Sequence, residues 1–181
     1  MSKETIQKIV IPEGINLEIT NHIIKVKGPK GENEKRLFYP GLEIIKEGNT
    51  INFKSSIRGK KGKRIINTYK AHIKNLIKGA SEGFIYKLKI CSGHFPMSVN
   101  VEGKSVVIKN FFGEKIPRKS KIIDGVNVKI NGDIITVESA DKEKAGQVSA
   151  NLEKATKRPG YDRRVFGDGI FIIDKNGKEI K

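Results

Sequence analysis

Cysteine is almost absent from this chain: Cys91 is the single thiol in 181 residues. No intrachain disulfide framework is available, and the sequence fits a reducing compartment. Histidine is nearly as scarce. His22, His72 and His94 lack the i, i+4 spacing or neighbouring cysteines that a helical zinc site needs, so no metal is expected. No stretch approaches the roughly 20 apolar residues that cross a bilayer, and no apolar run with a cleavage site opens the chain. The expectation is a soluble, cytoplasmic protein with no membrane contact.

Catalytic constellations are missing as well. Lys27-Gly28-Pro29-Lys30-Gly31 and the basic run from Arg58 to Arg64 resemble phosphate-cradling loops only superficially, because neither has the G-x-x-x-x-G-K-[ST] spacing that wraps a nucleotide. Cys91 would be a nucleophile if His94, three residues on, activated it, but a buried, inert thiol is the preferred reading. No enzyme activity, cofactor or small-molecule substrate is expected.

Acidic residues are the remaining shortage. Twenty Asp and Glu face thirty-six Lys and Arg, a formal net charge of +16. Seventeen cations against eight acids fall in residues 1–83, and nineteen against twelve in 84–181, so the excess is not confined to a tail. Such a field attracts polyanions, because each cation that neutralises a phosphate releases condensed counterions. Nucleic acid is the leading partner.

What is present is a repeat with a spacing of about 82 residues. Alternating segments at 15–19 and 23–27, before a turn at Gly28 to Gly31, match 97–101 and 105–109 before a turn near Gly113. A hairpin then follows in each half, 42–46 with 50–55 and 126–130 with 134–139. Its turn is Glu47-Gly48-Asn49 in one copy and Asn131-Gly132-Asp133 in the other, residues that tolerate positive φ. Ile66, Tyr69, Ile73, Leu76 and Ile77 share one helical face, as do Ala145, Val148, Leu152 and Ala155, with Gly79 and Pro159 as stops. Asp141 and Glu143 suit the first turn of the second helix, where carboxylates favour the positive dipole end. Closing strands are predicted at 84–90 and 164–173. The class is α+β: two tandem similar domains, 1–83 and 84–181, each a small antiparallel sheet covered by one helix.

Four clusters are candidate RNA contacts. Arg58, Lys60, Lys61, Lys63 and Arg64, with two glycines among them, predict a flexible loop that moulds to a phosphate backbone. Lys115, Arg118, Lys119 and Lys121 surround the stiffening Pro117. Lys157, Arg158, Gly160, Tyr161, Arg163 and Arg164 combine guanidinium forks with a ring for stacking or 2′-hydroxyl contact, and a Pro-Gly bend that admits close approach. Phe166, just beyond, is predicted to face the core. Ser92, Gly93, His94 and Phe95 form a small-residue loop at the junction of the repeats.

Ile11-Pro12-Glu13-Gly14 followed by Val26-Lys27-Gly28-Pro29-Lys30-Gly31 resembles the N-terminal signature of the ribosomal large-subunit protein six family. His94-Phe95-Pro96, the run Ile108 to Lys115 and the run Arg164 to Phe171 resemble its archaeal and eukaryotic branch. The resemblance implies two tandem α+β domains and a structural, ribonucleoprotein role in translation. It implies binding to large-subunit rRNA, chiefly through the C-terminal domain, beside the sarcin-ricin region where translational GTPases dock and among neighbouring ribosomal proteins. It places RNA contacts at Ser92 to Phe95 and Lys157 to Arg164. The bacterial Gly-Lys-Gly tail is replaced here by Arg163-Arg164-Val165-Phe166, so contacts of that branch do not transfer. The alternative is a free-standing RNA binder or chaperone outside the ribosome.

Overall fold

The computed structural model describes residues 5–57, 59–162 and 164–180. Contacts group the chain into two compact units, residues 1–83 and 84–181.

The first unit opens with β1 (Thr5–Val10), then β2 (Asn16–Thr20), β3 (Ile23–Gly28), β4 (Gly31–Arg36), β5 (Leu42–Glu47), β6 (Thr50–Ser55) and α1 (Gly59–Ser81). Its strands divide between two antiparallel three-stranded sheets, β1-β6-β5 and β2-β3-β4, where the sequence pattern suggested one. The reason lies in two strands that hydrophobic alternation does not reveal. β1 precedes the segments that carry the repeat. β4 reads Gly-Glu-Asn-Glu-Lys-Arg and is recognised by its partner, since Lys25–Glu34 and Lys27–Glu32 ion pairs at 3.5 and 3.8 Å lie directly across the β3–β4 ladder. The β2–β3 hairpin turns through Asn21 and His22, both at positive φ (48° and 64°), which matches the right-handed twist of the flanking strands.

α1 lays Ile66, Ile73, Leu76, Ile77 and Ala80 onto a core that includes Leu17, Ile24, Val26, Ile51 and Phe53. Each large apolar side chain fully buried there contributes about 1.5–3 kcal/mol. The helix begins at Gly59, so the run from Lys60 to Arg64 is helical and not the flexible loop its glycines suggested. Gly62 explains the difference: it is buried, and a Cβ there would overlap the Ile57 carbonyl oxygen, so its role is close approach of the incoming chain. Arg58 lies outside the described residues. Gly79 is likewise inside the helix. The stop is Gly83 at φ 80°, whose N–H donates to the Lys78 and Gly79 carbonyls.

The second unit repeats this order. β7 (Phe84–Cys91), β8 (Ser98–Glu102), β9 (Ser105–Lys109), a 3-10 turn at Phe111–Gly113, β10 (Arg118–Lys121), β11 (Val126–Asn131), β12 (Ile134–Ser139) and α2 (Lys142–Ala155) are followed by β13 (Gly169–Lys175) and β14 (Lys178–Glu179). The sheets are β10-β9-β8 and β11-β12-β7-β13-β14. β7 pairs with β12 as β1 pairs with β6. The segment from Phe84 therefore opens the second copy; it does not close the first. β13 adds itself to the other side of β7 and starts at Gly169, five residues later than predicted, because 164–168 is irregular.

α2 is capped by Asp141, whose carboxylate accepts from the Glu143 N–H at 2.8 Å, and Glu143 sits in the first turn. The helix ends at Ala155, before Pro159. The buried Thr156 hydroxyl then donates to Glu153 O and accepts from the Ile170 N–H at 2.9 Å, tying the helix end to β13. Ala145, Val148 and Leu152 meet Phe84, Tyr86, Leu88, Ile135, Val137 and Ile170 in a second core. Cys91 is half-buried, not enclosed.

Gly28 stands where the β3–β4 turn meets the end of α1: a Cβ would lie 2.5 Å from the Ala80 carbonyl oxygen, which accepts the Lys30 N–H at 3.0 Å. Gly28→Ala and Gly62→Ala are each expected to destabilise the first unit by about 1–3 kcal/mol, the usual overpacking range. In Gly28→Ala, hydrogen exchange at the Lys30 amide should accelerate before that of the β5–β6 hairpin. Wild-type exchange there would refute the close contact.

Candidate nucleic-acid interface

Three segments far apart in sequence converge in the second unit: the loop from Ser92 to Pro96 after β7, the turn from Asn110 to Glu114 after β9, and the segment from Lys157 to Asp168 between α2 and β13. The first and third are joined at one carboxylate. Asp168 is buried, and its oxygens accept the backbone N–H groups of Gly93 (2.7 Å), His94 (3.1 Å) and Phe95 (3.4 Å), and pair with the His94 ring Nδ1 at 3.2 Å. Burial pushes the Asp168 carboxyl up, but the Gly93, His94 and Phe95 amides and the His94 ring outweigh it and hold the group below its ordinary value.

The middle segment is held in a strained conformation. Asn110 and Phe112 adopt left-handed backbone (φ 60° and 50°), which non-glycine residues rarely do. The Asn110 side-chain amide donates to Pro96 O at 3.0 Å, which couples this turn to the first loop. The strain turns two adjacent rings to different duties: Phe111 is buried in the core, and Phe112, edge to face with it at 4.8 Å, reaches Tyr161 and Phe166 of the third segment.

An aromatic patch results. Tyr161 and Phe166 meet edge to face at 5.1 Å, Phe112 lies 5.8 Å from Tyr161 and 6.2 Å from Phe166, and the His94 ring is tilted over Phe166 at 5.3 Å. Arg158 places its guanidinium 4.2 Å from the Tyr161 centroid and 5.1 Å from that of Phe112. Phe95, Tyr161 and Phe166 keep 43%, 42% and 36% of their surface exposed. Phe166 thus belongs to this patch and not to the core, because the irregular stretch before Gly169 carries it out of the β13 register.

The predicted cations divide by role. Arg118 is drawn inward: its fork donates twice to Glu114 (2.6 and 2.7 Å), it donates to the Ala155 and Lys157 carbonyls (2.8 and 3.3 Å), and it covers the Phe111 ring at 4.4 Å. That side chain welds the start of β10 to the end of α2, and its hydrogen bonds hold Glu114 below the usual carboxylate range. Lys115, Lys119, Lys121 and Lys157 are exposed. Arg164 is also exposed; its guanidinium pairs with Asp162 at 2.9 Å, a surface pair worth little net energy and open to competition by another anion. Gly160, at φ 83°, makes the bend that returns the chain toward Phe166. Arg163 lies outside the described residues. Lys60, Lys61, Lys63 and Arg64 are exposed on α1, in the other unit.

Sequence reasoning missed Phe112, Phe166 and Asp168. For Phe112 a signal existed: two adjacent phenylalanines between Asn110 and Gly113 form a turn too tight to bury both. For Asp168 the signal was a lone acid between two glycines, shortly after the cationic run that ends at Arg164. Among the described residues, no group of three or more His, Cys, Asp or Glu is placed to hold a metal ion.

Because the folded-state value of Asp168 is depressed, its stabilisation is complete above the unfolded carboxylate value of about 3.9 and is lost as pH falls through the lower folded value. Asp168→Ala should remove it at neutral pH, at about 1–3 kcal/mol for the orphaned amides. Acid titration of wild-type protein, followed through the amide resonances of Gly93 to Phe95, should reproduce the spectrum of that variant locally. Resonances of Gly93 to Phe95 that titrate at or above the ordinary carboxylate value would refute the assignment.

The family model described as Ribosomal protein L6 matches residues 11–83 and 95–169, one match in each unit. "Large ribosomal subunit protein uL6" of Methanothrix thermoacetophila is 41% identical over 175 residues, covering 97% of this chain and 99% of the relative. The protein of the same name from Methanobrevibacter smithii is 45% identical over 169 residues, covering 93% and 95%. The family match runs through both copies of the repeat and reaches Asp168. The chain belongs to the ribosomal protein L6 family.

Proposed function

We propose that this protein is a non-enzymatic structural component of the large subunit of the cytoplasmic ribosome. It binds large-subunit rRNA through the converging loops of its second unit. The observation that carries the reading is the patch of exposed Tyr161 and Phe166 with the half-buried Arg158 and Phe112, framed by lysines, in a chain of net charge +16. Stacking on aromatic faces and phosphate neutralisation by neighbouring cations are the means by which proteins hold unpaired RNA segments. Arg158 serves both, since its guanidinium is already oriented against two rings. The segments that form the patch contain the family motifs 94–96, 108–115 and 164–171. In line with the resemblance, we place the contact beside the sarcin-ricin region of the rRNA, within reach of translational GTPases and neighbouring ribosomal proteins.

Lys115, Lys119 and Lys121 extend the basic surface along β10 and the loop before it. On the first unit, Lys60, Lys61, Lys63 and Arg64 form a separate cationic face at the start of α1, where no acidic residue occupies the first turn. That face is a second phosphate-binding surface in this reading.

Replacing Arg158 and Arg164 with Ala should lower the dependence of log affinity on log salt by roughly 0.7–0.9 for each phosphate that is no longer neutralised. Tyr161→Ala should weaken binding by about 1–3 kcal/mol with little change in that slope, since stacking is not ionic. Unchanged slope in the double variant would remove the arginines from the interface. Sedimentation of a cell extract through a high-salt sucrose gradient decides the assembly: co-migration with the large subunit is expected, and a position at the top of the gradient would instead establish a free-standing RNA binder.

A further inference from the structure

Stacking and phosphate neutralisation do not distinguish RNA from DNA, because both polymers offer bases and phosphates. Besides the Tyr161 hydroxyl, a second group in the patch has the chemistry to make that distinction. The His94 side chain is 43% exposed and its Nδ1 lies 3.2 Å from Asp168 Oδ1. The same carboxylate already accepts three backbone N–H groups, so it acts as an acceptor throughout. The proton between the ring and Asp168 therefore resides on Nδ1, and the lone pair of the neutral imidazole resides on Nε2. Among the described residues Nε2 makes no hydrogen bond. Phe166, at 5.3 Å, sets the plane of the ring.

We propose that His94 Nε2 accepts a hydrogen bond from a ribose 2′-hydroxyl, so that the 92–95 loop is the element by which this surface selects RNA over DNA. The inference rests on the reading of the patch as an RNA interface. A phosphate has no proton to give to a lone pair, so Nε2 is not another phosphate contact. The 2′-hydroxyl is a donor that every ribose displays along the shallow groove and that DNA lacks. Asp168 is the positioning residue: it fixes the proton on Nδ1 and, through three amides, the loop that bears the ring.

The test uses the full-length chain and deproteinised large-subunit rRNA fragments transcribed with sparse, random 2′-deoxy substitution. Bound and unbound fragments are separated at half-saturation for each variant. Wild-type protein should show riboses at which the deoxy substitution excludes binding. His94→Ala should lose the signal at one or two of these and keep the rest, with overall affinity reduced by up to about tenfold, as for one hydrogen bond. His94→Gln, whose amide oxygen restores an acceptor, should recover the signal. Asp168→Asn, which can offer Nδ1 a donor and move the ring proton to Nε2, should weaken it while circular dichroism stays unchanged. Identical interference patterns for wild type and His94→Ala would overturn the 2′-hydroxyl contact and leave RNA binding intact. Failure of the wild type to bind the rRNA would overturn the interface itself.

Discussion

A single ionised carboxylate gathers the functional face of this protein. Asp168 sits in a surrounding from which water is largely excluded, and such a charge persists only if donors surround it. Gly93, His94 and Phe95 supply three consecutive amides and His94 adds its ring. Loops that secondary structure alone leaves unconnected are thereby joined: one end of the arrangement follows β7, the other precedes β13, and the two strands are adjacent in the sheet. The sheet brings the loop ends near one another, and the carboxylate determines their conformation. Phe112, on the turn that Asn110 ties to Pro96, meets Tyr161 and Phe166 on this face.

The duplication explains why this face belongs to the second unit. Both units share the order of six strands and a helix, and the counterpart of β7 in the first unit is β1, which lies at the edge of its sheet. In the second unit the chain continues past the helix, and β13 covers the corresponding edge of β7. The segment that must travel from α2 to β13 is the one that carries Lys157, Arg158, Tyr161 and Phe166. Covering a sheet edge and building a loop surface are thus one structural event, and among the described residues no strand follows α1 within the first unit.

The parts of the fold legible in the sequence were those with local causes. Gly48 and Gly132 mark their hairpins because a two-residue turn requires positive φ, and Asp141 marks the start of α2 because a helix leaves N–H groups unpaired. β4 was hidden because its partners are across the sheet, Lys25 with Glu34 and Lys27 with Glu32, and β10 because its four residues, Arg118 to Lys121, carry no apolar alternation and pair with β9. Gly62 misled for a related reason. A glycine among cations reads as flexibility, yet here it permits close approach to the Ile57 carbonyl, which no local pattern encodes. At the interface, cations and Tyr161 were visible as composition. Arg118 was visible too, but its inward course depends on carbonyls at the end of α2, some forty residues away in the chain.

The left-handed residues Asn110 and Phe112 have a consequence for the direction in which any partner must adapt. Their strained backbone is held by Pro96 and by the surrounding rings, which limits how far those rings can move. Rigid surfaces lose less conformational entropy on association than mobile ones, and the accommodation falls to the other molecule. On the reading proposed above, the RNA conforms to a surface whose rings the fold holds in place, which suits the protein to select one RNA conformer from many, not merely to fasten whichever it meets.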